Sequence, residues 1–206
     1  MKRKMRLTTL CAALTIATIS SLCLTANCQG EEVLFEDDFK TQDPAWGQLA
    51  KIGDGKATLS AQPNEGHSSI NASVVFQDMT LIITSRIVNG SDDCCAGVLF
   101  LTKSYDDKYG VVYSKKAKIS VIRWAGGRAL SAVPWRDCSD LKSGIGKPNV
   151  IKIVLRGKQV TININGKDIV SFKGQVPEGG GGVGIYAEGG EKEKSVCEFS
   201  NFKVTK

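Results

Sequence analysis

From residue 149 onward, apolar side chains fall at every second position: Ile151, Ile153 and Leu155 in one run, Val160, Ile162 and Ile164 in the next. Side chains alternate between faces along a strand, whereas a helix needs apolar residues three and four apart. A two-residue period therefore commits each run to a β-strand with one buried face. Lys152, Val154 and Arg156 give the first strand a mixed outer face, and Thr161, Asn163 and Asn165 give the second a polar one. Asn165-Gly166 then closes a tight turn, because both residues accept the positive φ of a two-residue hairpin. Residues 168–172 return as a third strand, and Gly157-Lys158 joins the first two in the same way. Three antiparallel strands follow from this pattern.

Short β-branched or aromatic runs recur at 82–88, 97–102, 109–114 and 118–124, each ending at a polar or glycine-bearing turn. Helical spacing never persists. A spacing of about ten residues per strand and turn is that of a sandwich or barrel. The chain's 22 glycines all lie beyond residue 26; at well above the usual share of roughly 7%, they mark many turns and disfavour a helical bundle. The run Gly179-Gly180-Gly181-Gly182 reads as a loop before a strand at 183–188. A phosphate-cradling loop would need a following helix and a Lys or acid at set offsets, and neither is visible. There is no internal repeat, and about 180 residues beyond the leader suit one domain, 31–206.

Residues 1–26 read as an export signal. Lys2, Arg3, Lys4 and Arg6 precede a mostly apolar run from Leu7 to Leu24, and Thr25 and Ala26 follow as small residues. That run holds six Ser and Thr residues and reaches only about 18 positions, the lower limit for a membrane span, which favours cleavage over anchoring. The expected destination is periplasmic, outer-membrane anchored or extracellular. Leu24-Thr25-Ala26-Asn27-Cys28 also resembles a bacterial lipoprotein signal ending before Cys28, although the large apolar residue stands one place too far from the cysteine.

Charge narrows the partners. The sequence has 27 basic and 21 acidic residues; four of the basic ones precede residue 27 and no acid does, so the remainder carries +2. Binding to nucleic acid or an anionic bilayer needs concentrated positive charge, which is missing. No nucleic acid is expected, and no membrane beyond a lipid on Cys28. Once Cys28 is lipidated or removed, Cys94, Cys95, Cys138 and Cys197 remain, which allow three pairings. Adjacent cysteines close a strained ring. One of Cys94 and Cys95 is therefore expected to pair with Cys138, with Cys197 taking the other or staying buried. A zinc site lacks support, since no C-x-x-C occurs and His67 is the sole histidine.

Five segments occur in an order that resembles a known family. They are Leu34-Phe35-Glu36-Asp37-Asp38-Phe39, Trp46, Ile162-Asn163-Ile164-Asn165-Gly166-Lys167-Asp168-Ile169-Val170, Gly182-Val183-Gly184-Ile185-Tyr186, and Cys197-Glu198-Phe199-Ser200-Asn201-Phe202-Lys203-Val204. Residues 33–204 resemble the concanavalin A-like lectin/glucanase superfamily, in particular small bacterial laminin-G-like domains and the domain related to 3-keto-disaccharide hydrolases. The resemblance implies an all-β jelly-roll sandwich of two antiparallel sheets, with the first and last strands adjacent. In relatives the concave face or its rim binds sugars, and some members hydrolyse them. Related sandwiches often carry a calcium ion between their terminal strands; Asp37, Asp38 and Asn201 supply the oxygen ligands calcium favours.

Glycoside hydrolysis needs two facing carboxylates. The glucanase pattern E-x-D-x-x-E is absent: Glu36-Asp37-Asp38 begins it, but Thr41 stands where the second Glu should be. Asp92-Asp93 and Asp106-Asp107 read as solvated loops, and neighbours on a strand point to opposite faces. Glu188 is the best single acid. His67 lies in the polar stretch 63–69 and reads as an exposed loop histidine, which leaves a Ser-His-Asp arrangement without a base. Sugar binding asks less, namely aromatic faces with a few polar groups. Residues 105–136 concentrate both.

The candidate ligand residues are Tyr105, Tyr109, Tyr113, Arg123, Trp124, Trp135 and Glu188, with Trp135 the best rim aromatic. Tyr109 and Tyr113 share a strand face that could equally be core. Asn71-Ala72-Ser73 and Asn89-Gly90-Ser91 are glycosylation sequences, expected bare behind a bacterial leader. The sequence thus reads as an exported, noncatalytic carbohydrate-binding module with a glycan or polysaccharide partner and no cofactor beyond a structural calcium. The alternatives are a glycoside-processing hydrolase of the 3-keto-disaccharide type, with Glu188 or Asp107 as acid, and a cell-envelope protein-interaction domain.

Overall fold

The computed structural model describes residues 31–206; the leader, its cleavage and lipidation sites and Cys28 lie outside the described residues. The runs read at 82–88, 97–102 and 109–114 fall in β5 Met79–Asn89, β6 Cys95–Ser104 and β7 Asp107–Ser114, and the sequence before them forms β1 Val33–Asp37, β2 Lys51–Gly53, β3 Lys56–Ala61 and β4 Gly66–Phe76. These are followed by β8 Lys118–Ala125, β9 Arg128–Asp137, β10 Asn149–Arg156, β11 Gln159–Ile164, β12 Lys167–Lys173, β13 Gly181–Glu188 and β14 Ser195–Thr205. One short 3-10 turn spans Pro44–Trp46.

Two antiparallel sheets stack face to face. The eight-stranded sheet runs β12-β11-β10-β5-β14-β3-β2 with β1 also on β14, and the six-stranded sheet runs β4-β13-β6-β7-β8-β9. The hairpin pattern of β10 to β12 holds as read: Asn165 and Gly166 take φ 51° and 93° at the turn. Ile151, Ile153, Leu155, Val160, Ile162 and Ile164 are fully buried. They meet Ala96, Val98, Phe100, Val111, Val121 and Ile185 of the other sheet in one continuous core.

The two chain ends close on each other, with Glu36 opposite Lys203 and Asp37 opposite Phe202. The Trp46 indole N–H donates to Asp37 Oδ2 at 2.7 Å, and the indole packs edge-on against Phe39 and Phe202, with ring centroids 5.4 and 5.1 Å away. This aromatic knot explains why the first and last motifs travel together. Pairing the ends also covers strand edges that would otherwise invite aggregation.

All four described cysteines are buried free thiols, which corrects the expected bridge from Cys94 or Cys95 to Cys138. Cys138 is held by its own backbone bond to Ala117. Cys197 Sγ comes 3.6 Å from the Cys95 carbonyl oxygen, so the cysteines act as small core residues. Burial pushes the Cys94 thiol up to about 11.

Candidate functional site

The six-stranded sheet decides which candidates can meet a ligand. On β7, Tyr109, Val111 and Tyr113 face inward, and the two tyrosines are 4% and 2% exposed. Tyr113 shares a hydrogen bond with Ser85 Oγ at 2.9 Å across the sandwich, and Tyr109 stacks on Phe100 at 5.5 Å. Both therefore belong to the core and leave the ligand set. Arg123, paired in register with Tyr109, goes with it: its guanidinium lies over the Tyr109 ring and forms an ion pair with Asp107.

The other face of this sheet points outward and carries an apolar cluster of its own. Leu99, Val112 and Tyr186 are buried there, with Ile70, Ile122 and Trp124 against them. Glycine makes the room. Gly110 pairs with Leu99 on one side and Ile122 on the other, and a Cβ on it would fall 2.9 Å from Trp124 Cζ3. The Trp124 ring thus lies down on the sheet, 5.4 Å from the Tyr186 ring. Tyr186 O–H donates to Glu188 Oε2 at 2.9 Å.

Lys108 sits on top of this layer, only 5% exposed. Its ammonium lies 4.9 Å from the Trp124 ring centroid and 5.7 Å from that of Tyr105, and it donates to the Tyr105 carbonyl. Burial lowers its pKa, opposed by the charge of Asp106. No carboxylate lies within ion-pair distance among the described residues.

Tyr105 stands at the tip of the β6–β7 hairpin. Leu101 takes φ 48°, and the β6–β7 register shifts between Phe100 and Ser104. Such a bulge bends the strand, and here Tyr105 reaches over to β4, its hydroxyl donating to the Ser68 carbonyl at 3.0 Å. The ring stays 57% exposed. Between this tip, the Pro44–Trp46 turn and residues 70–75 of β4 lies a cleft of about 490 Å³. Ser69 Oγ ties β4 to the turn through the Trp46 carbonyl at 2.5 Å. Two cleft residues carry polar atoms without a partner: Asn71 Nδ2 and Thr102 Oγ1. The Asn71 side-chain oxygen is already taken by the backbone N–H and hydroxyl of Ser73. Burying a polar group unbonded costs about 1–3 kcal/mol; both atoms are sealed from solvent, so this cost is borne by the fold, and the polar groups the cleft presents are Lys103 and Ser104.

Trp135, 46% exposed, lies elsewhere. It borders a smaller hollow of about 230 Å³ with Asp92, Asp93, Cys95, Ser114, Lys116 and Lys118. Cys95 and Ser104 bound β6, so at roughly 3.3 Å per residue Trp135 and Tyr105 mark opposite ends of the face, about 30 Å apart. The same measure separates the two acids. Glu188 pairs with Cys95 and Asp107 with Ser104, far beyond the roughly 5–10 Å of a glycosidase pair.

His67 is not a loop residue. It lies half-buried at the start of β4, its Nδ1–H donating to Ser60 O at 2.7 Å and its Nε2 facing Glu65 at 3.2 Å.

The expected calcium ligands are not drawn together. Asp37 spends one oxygen on the Phe39 N–H and the other on Trp46. Asp38 pairs with Lys40 at 2.8 Å, and Asn201 donates to Thr84 Oγ1 at 3.3 Å. Among the described residues no group of three or more His, Cys, Asp and Glu side chains could hold a metal. Asn71, Thr102 and Lys108 were absent from the sequence candidates. Asn71 entered only through the sequence Asn71-Ala72-Ser73, and Thr102 only as the end of the run 97–102.

No protein-family model matches the sequence, and no curated protein does. Solved structures match over most of the chain at low identity. A prokaryotic β-1,3-1,4-glucanase (lichenase) derived from a mouse hindgut metagenome aligns with TM-score 0.63 and 9% identity, over 83% of this chain and 97% of that one. The carbohydrate-binding module CBM66 from Bacillus subtilis gives 0.60 and 13%, over 73% and 86%. The Emp46p carbohydrate recognition domain in its metal-free form gives 0.59 and 13%, over 82% and 93%. At these identities the likeness shows the fold alone: two antiparallel sheets in the jelly roll of concanavalin A-like lectins and glucanases.

Proposed function

We propose that the protein is an exported, noncatalytic carbohydrate-binding module whose site is the cleft beside Tyr105. The observation that carries this reading is the combination in one cleft of an exposed phenol ring, apolar walls from Val74 and Val75, and the exposed polar side chains of Lys103 and Ser104. A sugar offers the complement, an apolar ring face with hydroxyls at its edge that both donate and accept. Proteins of this fold that bind carbohydrate, such as CBM66, support it.

The second reading is a glycoside-processing hydrolase, favoured by the glucanases that share the fold. Against it stands the separation of Glu188 from Asp107. The deciding experiment is a glycan array with the purified protein, followed by reducing-sugar release on every hit. Binding without release supports the module, release transfers the claim to the enzyme, and an empty array removes the sugar reading.

A further inference from the structure

We infer that Lys108 is a positioning residue, which fixes the tip of the β6–β7 hairpin so that one face of the Tyr105 ring is presented to the cleft; this rests on the carbohydrate reading above. Lys108 forms none of the cleft wall and is 5% exposed. Tyr105 is held at two points. Its carbonyl accepts from the Lys108 ammonium, and its hydroxyl donates to the Ser68 carbonyl of β4 at 3.0 Å. The same ammonium lies over the ring, 5.7 Å from its centroid. A cation takes the face of an aromatic ring, so this face is turned to the protein and the other is left to the cleft that Tyr105 lines.

The hairpin needs such an anchor. Leu101 at φ 48° and the register shift after Phe100 take the tip out of the regular ladder, which resumes only where Ser104 pairs with Asp107. Stability does not account for the charge. The buried ammonium has one carbonyl and two ring faces in place of water, and no carboxylate within ion-pair distance among the described residues; such contacts replace lost hydration only in part. A methionine would keep an apolar stem against Trp124 without burying a charge. What methionine lacks is the donor to the Tyr105 carbonyl. The lysine thus ties the packed Trp124–Tyr186 layer to the exposed ring of the cleft, and a ring held in place before a ligand arrives binds it with less ordering to be done.

The test labels the four tyrosines with fluorotyrosine and assigns the Tyr105 signal by its loss in Tyr105→Phe. Fluorine NMR, thermal melts and calorimetry then compare Lys108→Met and Lys108→Arg with the parent, the probes being laminarihexaose, cellohexaose and the strongest glycan from the array. Lys108→Met should shift and broaden the Tyr105 signal and weaken glycan binding about 5-fold while Tm stays the same or rises. Lys108→Arg keeps the charge and the donor and should recover most of the signal and the affinity. A Lys108→Met protein with the parent's Tyr105 signal, or with the parent's affinity, overturns the inference and leaves the carbohydrate reading standing. So does one that fails to fold or melts lower by more than about 4 °C, because the lysine is then structural. If the Tyr105 signal moves as expected but the parent binds no glycan, the positioning of the ring stands and the carbohydrate reading falls.

Discussion

Replacing Gly110 with Ala tests whether the outer face of the six-stranded sheet is packed by Trp124. Gly110 has an ordinary strand backbone, so the added methyl brings no conformational strain; on its own it should stabilise by about 0.5–1 kcal/mol by restricting the unfolded chain. Opposing this, the new Cβ would lie 2.9 Å from Trp124 Cζ3 and 3.1 Å from Leu99 Cδ2. Carbon contacts relax at about 3.5–4.0 Å, so the indole must retreat by roughly 0.6–1 Å. It cannot do so freely, with Tyr186 at 5.4 Å and Lys108 above it. Overpacking of this kind costs about 1–3 kcal/mol, leaving a net loss centred on about 1 kcal/mol. For a domain of this size that is a fall of about 2–4 °C in Tm. Urea unfolding and thermal melts would read it, and the near-ultraviolet circular dichroism of Trp124 would change in the folded state. Gly53→Ala is the control, since nothing lies within 4 Å of its Cβ position; it should be neutral or slightly stabilising. A Gly110→Ala protein as stable as the parent, with an unchanged aromatic spectrum, would refute the packing described.

Further outcomes follow from other parts of the molecule. Glu198 is paired with Lys56 at 2.7 Å and Arg86 at 2.5 Å; burial works to raise its pKa, but the two cations outweigh it and hold it below 4.5. Its contribution is present above the unfolded value and lost as pH falls through the folded one, so Glu198→Gln should destabilise by about 1–2 kcal/mol at neutral pH and by progressively less below about pH 4. Equal losses at both pH values in urea melts would show that the charge is idle. Tyr105→Ala should weaken glycan binding about 5- to 10-fold in calorimetry with a Tm change below about 2 °C, while Trp135→Ala should leave both nearly unchanged; a large stability loss in either would place that ring in the core. Burial raises the Cys94 thiol from 9.0 to about 11, so stability should decline as pH climbs from 9 toward 11, where the unfolded chain ionises first. A thiol reagent at pH 8 should label the four described cysteines only after denaturation, and rapid native labelling would contradict their burial.

The strand pattern was legible because it is local. Val160, Ile162 and Ile164 share a face by covalent geometry alone, and Asn165-Gly166 closes its turn through its own backbone preferences. The pairing of the termini was legible less directly, through the resemblance carried by residues 34–39 and 197–204. The cysteine pairing was not: which thiols approach one another depends on how the strands stack, and Cys94, Cys95 and Cys197 turned into core filler.

The site shows the same division. Alternation stated that Tyr109, Val111 and Tyr113 lie together, which leaves Lys108 on the opposite face in the structure, but a period of two is symmetric and does not say which face meets the second sheet. An apolar partner layer took the tyrosines, so the charged neighbour was turned to the outer face, where it lies buried against Trp124. Trp124 and Tyr186 share their face with Gly97 and Gly110 of the β6–β7 hairpin and with Gly184 of β13, which is far from both in sequence. Asn71 and Thr102 likewise meet at one cleft only because β13 lies between β4 and β6. Sequence by itself determined the strands, their turns and the membership of each face, since these are set by neighbours a few bonds away. Which face became core, and which distant side chains share the cleft, was decided by the tertiary structure, because burial is a property of the packed sheets and not of any one strand.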